Sequence, residues 1–299
     1  MIILYKQKQE CCGCTACMSI CSRNAISMQT DDEGFLYPFI DDVLCVECGL
    51  CKSVCPLEHK MSITKLDNPL VFAVKHKSDK IRMSSSSGGA YTSISDFILL
   101  KNNRGYNLDI NTSTRCNSIC YGAEYSEDFK VHHRGVITTT GRDKLRGSKY
   151  VQSDLESTFT EIKQNLIDGR TVLFTGTPCQ TAGLSNYLKG SCINMKNLIL
   201  NDIICHGTPS PLLWKQNVEF LEAKYKSKLR SYSFRSKKGD WQKYPVRVEF
   251  DNGTIRMDTD EVRLFTKLFF SHLALRPSCY SCKFANISRP SDITIGDFW

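Results

Sequence analysis

The sequence contains no long hydrophobic run. Although 41% of its 299 residues are hydrophobic, no stretch approaches the roughly 18 apolar residues that a membrane-spanning helix needs. Residues 1–10 also lack the apolar segment of a secretion signal, and nothing else indicates an oxidising compartment. These absences argue against a membrane span and lead us to expect a cytoplasmic protein.

Several other signatures are missing. The formal net charge is +8, but lysine and arginine never form a run longer than a few positions, so nucleic-acid binding is not expected. No Gly-x-Gly-x-x-Gly follows a strand-like segment, which removes support for a Rossmann nucleotide site. No combination of residues favours a catalytic triad.

Cysteine, by contrast, is abundant, with 16 residues. Two runs share one spacing, Cys11-x2-Cys14-x2-Cys17-x3-Cys21 and Cys45-x2-Cys48-x2-Cys51-x3-Cys55. This spacing is typical of two-cluster bacterial ferredoxins, in which the fourth cysteine of each run binds the other cluster. The expected ligands are Cys11, Cys14, Cys17 and Cys55 for a first 4Fe-4S cluster, and Cys45, Cys48, Cys51 and Cys21 for a second.

Zinc and disulfides are the competing interpretations of these runs. A structural zinc site closes one short cysteine pair with a distant second pair, so the third and fourth cysteines of each run would be surplus. Disulfides require an oxidising compartment. One departure from the ferredoxin pattern is Ser22, where proline usually follows the fourth cysteine. Because that proline is not a ligand, both clusters are still expected.

The order of predicted elements indicates an α+β chain. Strand-like pieces at 25–28 and 34–40 accompany the cysteine runs, which predicts a bacterial two-cluster ferredoxin-like domain over residues 1–62. A polar linker follows, and strands then alternate with helices as in a mixed sheet covered by helices. We expect a larger mixed α/β domain in two parts, 69–150 and 151–299. Because the sequence stops just after a strand-like run, truncation at its end is expected.

Hydrophobic patterns predict the elements of the larger domain. Strands are expected at 70–74, 118–125, 131–138, 171–175 and 198–205. Helices are expected at 89–100, 153–166, from about 178 to 188, 211–226 and 261–273. Ser210 is a predicted N-cap because proline follows it at the first helical position.

Four later cysteines stand at transitions between elements. Cys179 follows a strand, Cys205 ends another, and Cys279-x2-Cys282 is a short chelating pair. These segments could converge on a third cluster, but buried thiols or a redox dithiol remain open from spacing alone. Beside Cys205, His206 is a weak candidate proton relay or hydrogen-bond donor to sulfur. The default expectations elsewhere are buried thiols at Cys116, Cys120 and Cys192, an out-of-register thiol at Cys12, and a surface pair at His132 and His133.

A family resemblance covers the chain from about residue 70 to its end. The segments that carry it are Ser86-Ser-Gly-Gly-Ala90, Arg146-Gly-Ser-Lys-Tyr-Val-Gln-Ser153, Phe174-Thr-Gly-Thr-Pro-Cys-Gln180, Cys205-His-Gly-Thr-Pro-Ser210, Cys279-Tyr-Ser-Cys-Lys-Phe284 and Asp292-Ile-Thr-Ile-Gly-Asp297. In this order they resemble the coenzyme F-420 hydrogenase/dehydrogenase beta-subunit family, here with an N-terminal double-cluster ferredoxin. The resemblance implies a third 4Fe-4S cluster, held by Cys179, Cys205, Cys279 and Cys282, and FAD beside it.

The expected flavin site centres on the Ser/Gly loop at 84–89, which opens a helix. Free amides and hydroxyls there can cradle phosphate or lie against a flat ring, although a flexible polar loop is the simpler alternative. Nearby cations could meet the pyrophosphate or the flavin edge. The candidate FAD-binding residues are Arg82, Ser86, Ser87, Gly88, Gly89, Arg146, Ser148, Lys149 and Tyr150.

The resulting hypothesis is an iron-sulfur flavoprotein oxidoreductase that works with a redox partner protein or reduced ferredoxin. Electrons would pass from the ferredoxin-type clusters through the third cluster to FAD, and on to an organic hydride acceptor, or in reverse. Each cluster with four thiolates contributes about −2, so three clusters and a dinucleotide would nearly cancel the charge of +8. The alternatives are a non-catalytic subunit that relays electrons to a partner enzyme, and a cluster-bearing structural or assembly protein. Coenzyme F-420 itself is not predicted as substrate.

Overall fold

A computed structural model describes residues 2–59, 69–101, 117–238 and 245–297. Within these ranges the chain forms a two-stranded sheet near the N-terminus, a five-stranded sheet and a three-stranded sheet. Most of the predicted linker, and Cys116, lie outside the described residues. None of the helices in these ranges is long and apolar enough to cross a membrane.

Each N-terminal cysteine run enters a short helix. The helices are α1 (Ala16–Ile20) and α2 (Leu50–Ser53), and the strands β1 (Ile26–Thr30) and β2 (Leu36–Ile40) pair antiparallel. Both helices begin after a left-handed residue, with φ of 62° at Thr15 and 78° at Gly49. This positive φ turns the chain sharply just before the third cysteine of each run. The repeated strand and cysteine loop agrees with the predicted ferredoxin-like organisation.

The larger part contains seven helices and eight strands within the described ranges. The helices are α3 (Asp79–Met83), α4 (Ala90–Lys101), α5 (Thr139–Leu145), α6 (Thr158–Ile167), α7 (Pro178–Gly190), α8 (Pro211–Tyr225) and α9 (Asp260–Phe270). The strands are β3 (Ser118–Tyr125), β4 (Val131–Val136), β5 (Thr171–Gly176), β6 (Leu198–Ile203), β7 (Leu229–Ser233), β8 (Arg247–Phe250), β9 (Ile255–Met257) and β10 (Ile293–Ile295). Short 3-10 helices cover Lys8–Glu10 and Pro277–Cys279.

The five-stranded sheet has the order β10-β6-β5-β3-β4. Its first four strands are parallel, and β4 pairs antiparallel at the edge. The carboxyl ends of parallel strands open at one edge of a sheet, where α/β proteins usually bind ligands. Here the ends of β5 and β6 bring residues 177–180 and 204–208 to the same edge.

The N-terminal part shares a hydrophobic core with the main sheet. Cys14, Ala16 and Val54 belong to the same buried cluster as Phe174 and Leu184. Helix α7 presents glycines at this contact, so the two backbones approach closely. The three-stranded sheet β7-β8-β9 is antiparallel and packs with α8 and α9 in a second core.

Several predicted elements differ from those observed, including the strand expected at 131–138, which ends at Val136. Residues 70–74 form no strand, and their apolar side chains are exposed. The helix predicted from residue 153 begins at Thr158, because Asp154 still pairs with the backbone of β4 through its main-chain N–H and C=O. Strand β6 ends at Ile203, and helix α9 ends at Phe270. The Ser210 cap is confirmed: its hydroxyl accepts from the main-chain N–H of Leu213 at 3.0 Å.

Candidate functional site

The first four predicted ligands lie together. Burial raises the pKa of the Cys17 thiol, and the neighbouring Cys11 and Cys55 thiols raise it further. Cys14 is likewise close to Cys17 and Cys55. The structure thus gathers three cysteines of one run and the last cysteine of the other, in the crossed arrangement that the spacing predicts.

Main-chain amides point at these sulfurs. Gly13 donates to the Cys11 sulfur and Ala16 donates to the Cys14 sulfur. Leu57 and Glu58 both donate to the sulfur of Cys55. Such N–H groups favour thiolate over thiol, and hydrogen bonds to sulfur help to set a cluster's reduction potential.

The second predicted set is more open to solvent. Cys51 is buried and its sulfur lies near those of Cys48 and Cys21. Cys48 is exposed, whereas Cys45 and Cys21 are half-buried. The main-chain N–H of Ala25 donates to the Cys21 sulfur at 3.4 Å. A group held here would therefore lie nearer the surface than one held by the first set.

The four later cysteines also converge. Although Cys205 as a residue is exposed, protein packed around its sulfur raises its pKa to about 12, and the nearby Cys179, Cys279 and Cys282 add to that shift. Two hydroxyls touch this group: Thr177 Oγ1 lies 3.1 Å from Cys179 Sγ, and Thr208 Oγ1 lies 3.7 Å from Cys279 Sγ.

These groupings differ from a single-ion site. Within the described ranges, no three His, Cys, Asp or Glu side chains are placed to hold one metal ion. A 4Fe-4S cube takes its four thiolates at four different iron atoms, so its ligands are spread more widely than those of one ion. A set of four thiols is also the donor set that a 4Fe-4S cluster uses, so the three cysteine sets fit such clusters.

Cys12 lies between the first and third sets. Its thiol is hydrogen-bonded to both Cys14 and Cys179. The sequence predicted only that Cys12 was out of register with the ligands. Cys120 is buried as expected, but Cys192 is exposed, which contradicts the buried thiol predicted there.

A cavity of about 1130 Å³ lies beside the third set. All of the predicted flavin contacts line it, from the Ser/Gly loop and from the segment after α5. They are Arg82, Ser86, Ser87, Gly88, Gly89, Arg146, Ser148, Lys149 and Tyr150. The loop and that segment are tied together, since Ser86 Oγ accepts from the main-chain N–H of Ser148 at 2.7 Å.

The predicted cations that line the cavity differ in their ion-pair and hydrogen-bond partners. Arg82 forms an ion pair with Asp79 and donates to the carbonyl of His76 at 2.6 Å. Arg146 pairs with Asp143 at 2.6 Å. Lys149 has no described carboxylate in ion-pair contact, and its ammonium donates to the carbonyl of Arg146 at 2.9 Å. Burial lowers the pKa of Lys149 to about 8.

Sequence patterns missed several residues of this cavity. Lys237 donates to the carbonyls of Arg82 at 2.7 Å and of Ser87 at 2.5 Å, which fixes the Ser/Gly loop. Arg235 pairs with Asp297 at 2.6 Å. The segment 292–297 carries part of the family resemblance, but its sequence does not predict that it lines a cavity. The contact of Lys237 with the Ser/Gly loop could not be predicted from the sequence, because Lys237 lies in an ordinary polar stretch.

His133 is the clearest correction. The predicted surface histidine is 5% exposed, and its ring stacks on Phe174. Its Nε2 lies 3.0 Å from the carbonyl of Thr175, so Nε2 carries the hydrogen. Nδ1 is then an acceptor, and it is buried without a hydrogen-bond partner among the described residues. Although His133 lines the cavity as a residue, this nitrogen is itself buried.

His206 is not one of the described residues that line the cavity. Its Nε2 lies 2.7 Å from Nε2 of His272, and its ring contacts Phe269 and Phe270. Burial and the neighbouring His272 lower its pKa. A proton-relay role for His206 stays a prediction.

These features define an iron-sulfur electron-transfer protein with a ferredoxin-type N-terminal part and a mixed α/β part containing a parallel sheet. Comparison with known families agrees. Residues 10–58 match the 4Fe-4S dicluster domain, and residues 169–298 match the family described as coenzyme F420 hydrogenase/dehydrogenase, C terminus of the beta subunit. Residues 169–298 thus resemble the C-terminal domain of this beta-subunit family, and residues 10–58 form a 4Fe-4S dicluster domain.

The comparison with solved structures gives a weaker likeness. A chain of the F420-reducing NiFe hydrogenase complex from Methanosarcina barkeri, in a xenon-derivatized structure, matches with 18% identity and a TM-score of 0.47. The match covers 75% of this chain and 68% of that one. No curated protein matches the sequence significantly.

Proposed function

We propose that the chain is an iron-sulfur flavoprotein oxidoreductase. Electrons pass from the two N-terminal clusters through a third 4Fe-4S cluster to FAD in the cavity, and on to an organic hydride acceptor, or in the reverse direction. The third cluster is held by Cys179, Cys205, Cys279 and Cys282. The electron donor is a redox partner protein such as reduced ferredoxin.

One observation carries this proposal: the cavity and the third cysteine set share a wall. Thr177 and Thr208 line the cavity, and the hydroxyl of each contacts a cysteine of the set. Ile204, which precedes Cys205, also lines the cavity. A ligand in the cavity would therefore lie within one side chain of a cluster at these cysteines, which suits direct electron transfer.

The cavity suits a dinucleotide in size and chemistry. Drug-sized ligands occupy sites of about 300–1,000 Å³, and this cavity of about 1130 Å³ is larger. Lysine and arginine side chains line it together with the hydroxyls and glycines of the Ser/Gly loop. At Gly89, φ is 90°, which an L side chain rarely adopts, so glycine is favoured at this position just before helix α4. Backbone amides at such a helix start favour phosphate.

The residues of the chain have separable tasks. Lys237 and Ser148 fix the Ser/Gly loop, and Lys149 supplies a positive charge inside the cavity. His133 forms part of the cavity wall. When bound, a flavin supplies the exchange between single electrons and a two-electron hydride, which iron-sulfur centres cannot provide.

The third set is suited to a cluster by its charge environment. Burial raises the pKa of the Cys279 thiol, and the neighbouring Cys179 and Cys282 raise it further, because thiolates crowded together disfavour one another. Metal binding removes this repulsion, because each thiolate then binds iron. Hydroxyl donors from Thr177 and Thr208 remain available to the sulfurs.

Anaerobic quantification of iron, sulfide and flavin tests the proposal. We expect about twelve iron atoms and one FAD per chain. The Cys205→Ser variant should lose about four iron atoms, whereas Cys192→Ser, at an exposed cysteine outside all three sets, should lose none. A wild-type protein with eight iron atoms would show that the third cluster is absent, and absence of flavin would overturn the proposal.

A second measurement separates catalysis from relay. The reduced, FAD-loaded protein is mixed with small hydride acceptors in the absence of any partner chain, and the absorbance of the flavin is followed. Reoxidation by a small acceptor supports an oxidoreductase. If reoxidation occurs only when a partner enzyme is added, the chain is a relay subunit.

A further inference from the structure

Arg276 is a fully buried cation at the junction between the first and third cysteine sets. Arg276 is 1% exposed, and it is the largest of the fully buried residues in the described part of the chain. Its main chain belongs to the third set's region: the Arg276 N–H donates to the carbonyl of Thr208 at 2.9 Å, and its carbonyl accepts from the N–H of Cys279 at 2.8 Å.

The guanidinium reaches into the N-terminal part. Nε donates to the carbonyl of Cys11 at 2.8 Å, and Nη2 donates to the carbonyl of Leu36 at 2.9 Å. Nη2 also lies 3.7 Å from Cys11 Sγ. On one face, the guanidinium carbon lies 4.2 Å from the centre of the Tyr37 ring.

Gln152 completes a clamp on the first cysteine loop. Its Oε1 accepts from Arg276 Nη1 at 2.9 Å, and its Nε2 donates to the carbonyl of Cys12 at 3.2 Å. A side chain at Gly13 would collide with both, at 2.8 Å from Gln152 Nε2 and 2.9 Å from Arg276 Nη1. The clamp thus fits against the bare backbone of the loop.

The charge of Arg276 is not balanced by a carboxylate. Within the described part of the chain, its polar partners are carbonyls, one amide oxygen and the Cys11 sulfur. A buried charge is normally paired, because removal from water penalises it strongly. Among these hydrogen-bonding partners, Cys11 becomes negative when its thiolate binds a cluster. Arg276 also lies near Cys179 of the third set, but its described hydrogen bond to sulfur is to Cys11.

We propose that Arg276 is the buried counter-ion of the cluster held through Cys11 and raises the reduction potential of that cluster. This inference rests on the proposed function only for the presence of the first cluster. Reduction adds one electron, and the cube with its four thiolates goes from about −2 to about −3. A cation at hydrogen-bond distance from one sulfur stabilises the more negative state more. Arg276 therefore favours reduction of the first cluster.

The test is a redox titration of the full chain, followed by electron paramagnetic resonance, with iron measured on every sample. Arg276→Gln removes the charge and keeps part of the hydrogen bonding. Arg276→Lys keeps the positive charge but loses the forked arrangement of N–H donors that a guanidinium has. Arg263→Gln, at an exposed arginine paired with Asp258, is the control. The same variants are also made in a protein that carries Cys45→Ser and Cys48→Ser. These changes remove the paramagnetic resonance signal of the second cluster, so the remaining N-terminal signal belongs to the first cluster.

The expected result is a negative shift of the first-cluster potential in Arg276→Gln, a much smaller shift in Arg276→Lys, and none in Arg263→Gln. Loss of about four iron atoms in the glutamine variant, with full retention in the lysine variant, would also support charge compensation. Equal potentials in wild type and Arg276→Gln at full iron content would overturn the inference, and so would equal effects of glutamine and lysine. A wild type without N-terminal clusters would instead contradict the proposed function.

Discussion

Gly183 of helix α7 lies directly against the thiol of Cys14: a Cβ atom at position 183 would stand 2.8 Å from Cys14 Sγ and 2.9 Å from Cys14 Cβ. This is closer than real Cβ contacts allow. Further along the same helix, a Cβ at Gly190 would meet Val54 at 2.6 Å. These two glycines let the cysteine-rich part approach the helix that carries Cys179.

Gly183→Ala should therefore destabilise the protein, although alanine is otherwise the better helix former. The helical gain is about 0.5–1 kcal/mol, and overpacking typically costs about 1–3 kcal/mol, so a net loss is expected. The measurement is denaturant unfolding together with iron content. Lys189→Ala, on the exposed side of the same helix, is the control. A variant as stable as the wild type with full iron would show that the contact is not tight.

Lys149 should make FAD binding weaken as the pH rises. Its pKa in the free protein is about 8, below its ordinary value, so the ammonium loses its proton above pH 8. An anionic dinucleotide favours the protonated form and raises this pKa on binding. Linkage then predicts that the dissociation constant of FAD increases by up to about tenfold per pH unit above pH 8.

The measurement is flavin fluorescence titration between pH 7 and pH 10. Lys149→Gln should bind FAD more weakly at pH 7 and lose the slope. Lys215→Gln, at an exposed lysine paired with Glu219, should behave as the wild type. A slope that persists unchanged in Lys149→Gln would assign the pH dependence to another group.

His133 should make the protein less stable in acid. Burial lowers its pKa to about 4, whereas an unfolded histidine titrates near 6.5. The unfolded chain therefore takes up a proton first, and stability present above pH 6.5 is lost as the pH falls towards 4. The loss is on the order of 3 kcal/mol.

His133→Phe keeps a ring to stack on Phe174 and removes the titration. Its free energy of unfolding should fall less than that of the wild type between pH 6.5 and pH 4, measured by urea unfolding. His59→Gln, at an exposed histidine, controls for general acid effects. Parallel curves for wild type and His133→Phe would argue against a buried neutral imidazole.

Thr208 should tune the third cluster. Its hydroxyl lies 3.7 Å from Cys279 Sγ, and with a thiolate there the hydroxyl must be the donor. Thr208→Val removes this donor at nearly constant shape, so the potential of the third cluster should become more negative. A redox titration with Thr160→Val, on the surface of α6, as control checks this. An unchanged potential would show that the hydroxyl donates elsewhere.

The elements that the sequence predicted best are those with local causes. The cysteine spacing, the Ser210 cap before Pro211 and the strand 118–125 all depend on residues a few positions apart. The strand expected at 70–74 failed because apolar content alone does not supply a pairing partner. The helix expected at 153 failed because Asp154 bonds to a strand distant in sequence.

The candidate site divides in the same way. Each residue expected to contact the flavin lines one cavity. These residues were predicted from the resemblance of several segments and not from any periodicity. Lys237, His133 and Arg276 were not predicted, because nothing in their neighbours distinguishes them from ordinary polar residues. Their roles come from what surrounds them after folding.

The sequence alone determined that this protein binds iron-sulfur clusters, since the chelating loops are short and their geometry is set by spacing. Only the tertiary structure decided which side chains are buried and which distant segments meet. Arg276 contacts Cys11 across 265 positions of the chain, and no local preference encodes such a contact. It arises because the shared core brings the cysteine loop and the segment before Cys279 together, which buries Arg276 between them.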